Sequence, residues 1–224
     1  LFSEVEYNKM YSINDEIQVR YQDAWHILGS ASIELFVTEW DKKTKIVFSG
    51  DIGQRDTPIV QDPSLIEESD YVFMESTYGD RLHEDSPEEK NHFLHIIKQT
   101  CIEQKGKLII PAFSVGRTQE IVYMLDQLVK ENLLPNVPVY VDSPLAVNAT
   151  RVFEMHPECF DKDILSYMQH DANPFGFDNL RYTRSVDESR SINTKKGCIV
   201  ISEAEKKKTN KKKQHKIKKN KKQT

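Results

Sequence analysis

Apolar and polar positions along this chain switch between a period of two and a period near 3.6. Residues 32–38 are rich in strand formers and partly alternate, a polar turn follows at 40–44, and residues 45–49 form a second apolar run. The pair reads as a hairpin. Residues 71–75 make another short apolar strand after a loop at 62–64. Across residues 87–104, Phe93, Leu94, Ile96, Ile97 and Cys101 recur at helical spacing, with Ser86 before Pro87 as a cap and Gly106 as the stop. Residues 107–113 form a strand. Residues 118–130 form a helix with Ile121, Val122, Met124, Leu125 and Leu128 on its core side. A strand over 137–142, a helix over 146–155 and a strand over 197–202 complete the pattern. Strand–helix–strand order with short loops predicts an α/β fold with a parallel sheet. The hairpin before it predicts a differently built N-terminal portion.

Composition narrows the class. Hydrophobic residues make up 38% of the 224 residues, enough for a real core. No apolar run approaches the roughly 20 residues that span a bilayer, so no membrane partner is expected. The N-terminus shows no secretory signal and no Met, which reads as a chain cut from something longer. The cysteines, Cys101, Cys159 and Cys198, are sparse and form no C-x-x-C pair. They suit a reducing, cytoplasmic setting and read best as small apolar fillers. The net charge of -4 hides an asymmetry. Residues 206–224 hold eleven lysines and no acid, which leaves the remainder at about -15. A body this acidic needs a local basic site or a metal to grip nucleic acid. The tail itself has one aliphatic residue, Ile217, and is expected to be disordered. It reads as a polybasic arm, as a plain solvated tail, or, most favoured, as shifted-frame sequence.

Four stretches place polar groups just past strand ends, where open α/β sheets bind ligands. They are Trp25-His26-Ile27-Leu28-Gly29-Ser30-Ala31, Phe48-Ser49-Gly50-Asp51-Ile52-Gly53, Met74-Glu75-Ser76-Thr77-Tyr78-Gly79-Asp80 and Pro111-Ala112-Phe113-Ser114-Val115-Gly116-Arg117. His26 and Asp51 are each followed closely by glycine. Imidazole nitrogen and carboxylate oxygen are ordinary zinc ligands at about 2.0–2.2 Å. Taken alone, a histidine is more often structural, and an aspartate before a turn is more often a cap. For Tyr78, core packing is favoured over a place in a cleft.

Taken together and in this order, the stretches resemble consecutive motifs of the β-CASP branch of the metallo-β-lactamase superfamily, the RNase J and cleavage-and-polyadenylation endonuclease group. The nearest likeness is to bacterial and archaeal members with an RNA-specificity domain. His26-Ile-Leu-Gly-Ser is similar to the third metal motif and Ser49-Gly-Asp51-Ile-Gly to the fourth. Glu75-Ser-Thr-Tyr-Gly-Asp is similar to β-CASP motif A. Ile110-Pro-Ala-Phe-Ser-Val-Gly-Arg-Thr-Gln-Glu120, Val141-Asp-Ser-Pro-Leu-Ala146 and Asn173-Pro174-Phe175 extend the likeness from about residue 20 to Ser202.

The resemblance implies zinc-dependent RNA hydrolysis with two zinc ions. His26 would bind one ion, Asp51 would bridge both, and Glu75 would orient a general-acid histidine, which makes Asp51 and Glu75 the catalytic candidates. Arg117, at a strand-to-helix junction, is placed to meet an RNA phosphate as a bidentate donor, a surface or interdomain ion pair being the equal alternative. Residues 1–80 would belong to a partial αββα sandwich, 81–205 to a partial β-CASP domain, and 206–224 to the tail. RNA is the implied partner, and a homodimer stays open. The H-x-H-x-D-H motif is expected before residue 1, and two later histidines after the 197–202 strand, where this sequence turns to lysine. The chain as given is therefore expected to be inactive. Trp25 stands where the resembled motif usually has glycine. His83, His92, His95, His156 and His170 match no metal motif. The rival readings are another ester hydrolase on the same sandwich and a non-catalytic RNA-processing scaffold.

Overall fold

The computed structural model describes residues 3–81 and 89–203. The chain divides into two compact units, one of residues 1–84 and 158–166, the other of 85–157 and 167–224. Ser86, His83 and the lysine-rich tail lie outside the described residues.

The first unit is a five-stranded sheet in the order β1-β2-β3-β4-β5. Its strands are β1 (Met10–Ser12), β2 (Ile17–Asp23), β3 (Ala31–Glu39), β4 (Lys42–Phe48) and β5 (Tyr71–Phe73). All pairings are antiparallel except β4 with β5, which is parallel. The expected hairpin is β3–β4, but its turn is tighter than the sequence suggests. Pairing runs to Glu39 opposite Lys42, leaving only Trp40 and Asp41 in the loop. Backbone ladder bonds do not depend on side-chain polarity, so the polar stretch 42–44 pairs as readily as an apolar one. Trp40 adopts φ +56°, the left-handed conformation that two-residue hairpin loops require.

Inside this sheet Glu34 is buried, 1% exposed. Arg20 Nε and Nη2, Lys45 Nζ and Gln22 Nε2 all donate to its carboxylate, at 2.5, 3.1, 2.7 and 3.0 Å. Burial acts to raise this carboxyl, but the Arg20, Lys45 and Gln22 hydrogen bonds outweigh it and hold it down to about 2. Arg20 and Lys45 also lie over the Phe36 ring, 5.6 and 5.8 Å from its centroid. The edge strand β5 is exposed on both faces, and its Phe73 stacks on Phe48 at 4.9 Å.

The second unit is a wholly parallel four-stranded sheet in the order β6-β9-β7-β8, the α/β layer expected from the chain order. Its strands are β6 (Lys107–Pro111), β7 (Val139–Asp142), β8 (Leu180–Tyr182) and β9 (Cys198–Ser202). β9 lies between β6 and β7, and its first four residues are buried. Continuous burial is what a parallel strand covered on both faces shows.

The helices are α1 (Glu89–Ile97), α2 (Arg117–Lys130), α3 (Pro144–Met155), α4 (Lys162–Met168) and α5 (Val186–Ser191). The helix expected over 87–104 changes character part-way. After Ile97 it widens into a π-helical turn, Lys98–Glu103, which keeps Ile97 and Cys101 buried. Lys105 rather than Gly106 takes the left-handed conformation that ends it, at φ +50°. Gly106 instead donates its N–H to Thr100 O at 2.7 Å, where a Cβ would come within 3.1 Å of that oxygen.

On α2 the buried stripe includes Gln119, Tyr123 and Asp126 beside Val122, Leu125 and Leu128. The expected Ile121 and Met124 are only half-buried, because counting apolar residues alone misses polar side chains that find partners inside. α3 starts two residues earlier than its apolar pattern. Ser143 caps it by accepting from Ala146 N at 3.2 Å, and Pro144 takes the first helical position.

Candidate active site

Three of the four polar stretches belong to the first unit, and hydrogen bonds stitch their loops together. The stretch after β2 turns back on itself through Ser30. Ser30 Oγ accepts from His26 N at 2.9 Å and Ile27 N at 3.3 Å, and Ser30 N donates to Ile27 O at 3.0 Å. Asp23 Oδ1 accepts from Trp25 N at 3.0 Å; burial pushes this carboxyl above its usual range, against the pull of that N–H. Trp25 sits at φ +44°, a left-handed conformation that costs a bulky residue about 1–2 kcal/mol. This is the position at which the resembled motif carries glycine.

The stretch after β4 docks onto it. Gly53 N donates to Ala24 O at 2.8 Å. A Cβ on Gly53 would fall 2.1 Å from Trp25 O, 2.4 Å from Trp25 C and 2.9 Å from His26 N, so no larger residue fits there without moving backbone. Gly50, at φ +59°, lets the chain turn out of β4 just before Asp51.

The stretch after β5 completes the arrangement. Ser49 N donates to Phe73 O at 2.9 Å, and Glu75 N donates to Ser49 Oγ at 3.2 Å. Glu75 Oε1 accepts from Ile52 N at 2.8 Å, and Glu75 Oε2 accepts from Thr77 Oγ1 at 2.7 Å. The Ile52 N–H, the Thr77 hydroxyl and, more weakly, the His26 imidazole hold the Glu75 carboxyl below its usual range. His26 and Asp51 are exposed, and Glu75 is half-buried. An open cavity of about 310 Å³ is lined by Ser32, Val47, Ser49, Ile52, Gly53 and Met74 among others.

The sequence did not single out Ser30, Ser49, Gly53 or Thr77 as parts of this arrangement. Ser30 was legible as a local hydroxyl-to-backbone turn former. The Gly53 contact was not, because it depends on a loop 28 residues earlier in the chain. Tyr78 is corrected: it is 53% exposed rather than core, and Arg81 lies over its ring at 5.3 Å. His92 and His95 are exposed on α1.

The donor chemistry suits zinc only in part. His26 and Asp51 offer one nitrogen and one carboxylate from adjoining loops. Among the described residues no three His, Cys, Asp or Glu side chains converge, whereas zinc takes three or four protein ligands.

Arg117 belongs to the second unit. It opens α2 directly after Gly116, which adopts φ +80°. Its side chain is 66% exposed and Nη1 meets Glu120 Oε2 at 2.7 Å. Nearby, Ser114 and Ser143 hydroxyls lie 2.9 Å apart and both bond Glu203 Oε1.

The Beta-Casp domain family matches residues 118–214. Ribonuclease TTHA0252 of Thermus thermophilus is 33% identical over 185 residues, covering 83% of this chain and 41% of the relative. The chain belongs to the β-CASP family. A second relative, the RNase J-like protein of Methanocaldococcus jannaschii, is 35% identical over 201 residues, 88% of this chain and 45% of the relative. Cleavage and polyadenylation specificity factor 73 of Drosophila melanogaster is 27% identical over 181 residues, 80% of this chain and 25% of the relative. The β-CASP chain thus spans less than half the length of these curated relatives. No described helix is long and apolar enough to cross a membrane.

Proposed function

We propose that this chain is part of a zinc-dependent ribonuclease. Residues 1–80 contribute to its metallo-β-lactamase portion and 81–205 to its β-CASP portion. The observation that carries the reading is the joining of the His26, Asp51 and Glu75 loops through Gly53 N–Ala24 O and Ile52 N–Glu75 Oε1. Relatives named as ribonucleases supply the substrate class.

In this reading His26 would help hold one of two zinc ions and Asp51 would offer its carboxylate to both. Zinc held there would supply Lewis-acid chemistry, activating a water at neutral pH and polarising the phosphate. This chain's own residues do the rest of the positioning. Gly53 keeps the His26 loop against the Asp51 loop. Glu75, ionised and anchored by Ile52 N and Thr77, presents a carboxylate that fixes the orientation of an imidazole donor. Arg117 contacts an RNA phosphate and exchanges its Glu120 partner for it.

His26 and Asp51 supply fewer donors than zinc needs, so the chain by itself neither holds zinc tightly nor turns over RNA. The second reading is a non-catalytic RNA-processing scaffold. The sparse, unbridged cysteines support a cytoplasmic setting. An assay of single-stranded RNA cleavage by a chain extended to the length of its relatives separates the two readings. The ribonuclease reading expects turnover that Asp51→Ala abolishes. No turnover with every metal ligand in place favours the scaffold.

A further inference from the structure

α2 carries a carboxylate into the core of the second unit. Asp126 is fully buried, 0% exposed. The Tyr167 hydroxyl donates to its Oδ2 at 2.6 Å, and the Tyr167 ring packs edge-on against Tyr123 at 5.3 Å. Asp126 Oδ1 has no hydrogen-bond donor among the described residues. A buried carboxylate oxygen without a donor is costly.

Asp171 sits one turn after Tyr167, its N–H bonded to Tyr167 O at 3.1 Å, and the Tyr167 hydroxyl is the group bonded to Asp126; the Asp171 charge acts on Asp126 from there. Lys130 Nζ contacts Asp171 Oδ2 at 2.8 Å, and Asn173 N donates to Asp171 Oδ1 at 3.0 Å. Two neighbouring carboxylates resist ionising together. One proton on Asp126 removes that repulsion and turns the orphaned oxygen into a hydrogen-bond donor.

We infer that Asp126 and Asp171 share a single proton that clamps residues 167–171 onto α2, and that losing it loosens the clamp. The groups facing Asp126 are Tyr167 and Asp171 from the segment at the end of α4, and Lys130 from its own helix; Asp178 acts on Lys130. Burial leads in pushing Asp126 up to about 6, the Tyr167 hydrogen bond pulls it down, and the Asp171 charge raises it again. Burial also acts to raise Asp171, but Lys130 and Asn173 N hold it below its usual range. Because the folded value of Asp126 lies above its unfolded value, its contribution to stability is fully present below about pH 4. That contribution is lost as pH rises through about 6.

The test is a carbon-detected NMR titration of Asp side-chain carboxyls in the 224-residue chain, paired with unfolding of Asp126→Asn between pH 5 and 8. Asparagine keeps an acceptor for Tyr167 and supplies a permanent donor. The clamp predicts an Asp126 step near pH 6, and a folding equilibrium for Asp126→Asn that gains up to about a hundredfold over wild type at pH 7.5. The pH dependence across pH 5–7 should also flatten in the variant. A wild-type Asp126 titrating near 4, or a variant with the wild-type pH profile, overturns it. If the variant does not fold, the wild-type titration decides alone.

Discussion

Gly53 sets the geometry of the candidate site, and replacing it by alanine is the sharpest perturbation of it. The added methyl would lie 2.1 Å from Trp25 O and 2.4 Å from Trp25 C, more than 1 Å inside ordinary contact, against backbone rather than a flexible side chain. One loop must withdraw from the other. Overpacking of this kind costs about 1–3 kcal/mol. Withdrawal also breaks the 2.8 Å Gly53 N–Ala24 O hydrogen bond, a further net loss of about 1 kcal/mol. Gly53→Ala is therefore expected to destabilise the first unit by about 2–4 kcal/mol. Gly79→Ala is the control, since the nearest atom to its Cβ is Ser76 O at 3.3 Å and a shift of a few tenths of an ångström suffices. Urea unfolding of both variants gives the free energies, and the His26 ring NMR signals report the loop directly. A Gly53→Ala cost below about 0.5 kcal/mol with unmoved His26 resonances would refute the reasoning, because the two loops would then not be in backbone contact.

Removing the Glu34 carboxylate leaves Arg20 and Lys45 without their shared partner, and because both are partly exposed Glu34→Ala should cost about 2 kcal/mol at pH 7 rather than the full penalty of a buried pair. The folded carboxyl is depressed to about 2, so this stability is present above the unfolded value near 4 and is lost as pH falls toward 2; unfolding midpoints of wild type and variant should converge across that window. Titration of the chain with zinc should show no stoichiometric tight site, and tight binding abolished by Asp51→Ala would mean that further donors lie within these 224 residues. Deleting residues 206–224 removes eleven lysines, so RNA affinity should drop and its salt dependence flatten, with no change in sequence preference; equal binding by the truncated chain would move attention to Arg117.

The second unit was readable from the sequence because its strands and helices each have one period. β6 and β9 are apolar runs of parallel-sheet type, and α2 has a clear 3.6-residue stripe. Its polar interior was not readable. Asp126 and Gln119 look like surface residues until Tyr167, Ser114 and Thr150 are brought against them from 5 to 41 positions away. In the first unit β2 adds to the expected hairpin, its polar Arg20 and Gln22 serving a buried glutamate on the adjoining strand β3, 14 and 12 positions on in sequence. The site was legible as motifs and illegible as geometry. His26 and Asp51 stand out beside glycines and Glu75 within a longer polar stretch, but the joining of their loops depends on backbone groups of Ala24, Ile52 and Gly53, whose side chains announce nothing.

Zinc-edge anomalous diffraction from a chain extended to the length of its relatives tests the central claim most directly. Anomalous density about 2.0–2.2 Å from a His26 ring nitrogen and from Asp51 carboxylate oxygens, with Glu75 still bonded to Ile52 N, is the predicted result. Zinc bound elsewhere, or a fully occupied zinc site with the His26 and Asp51 side chains turned away from it, would contradict it.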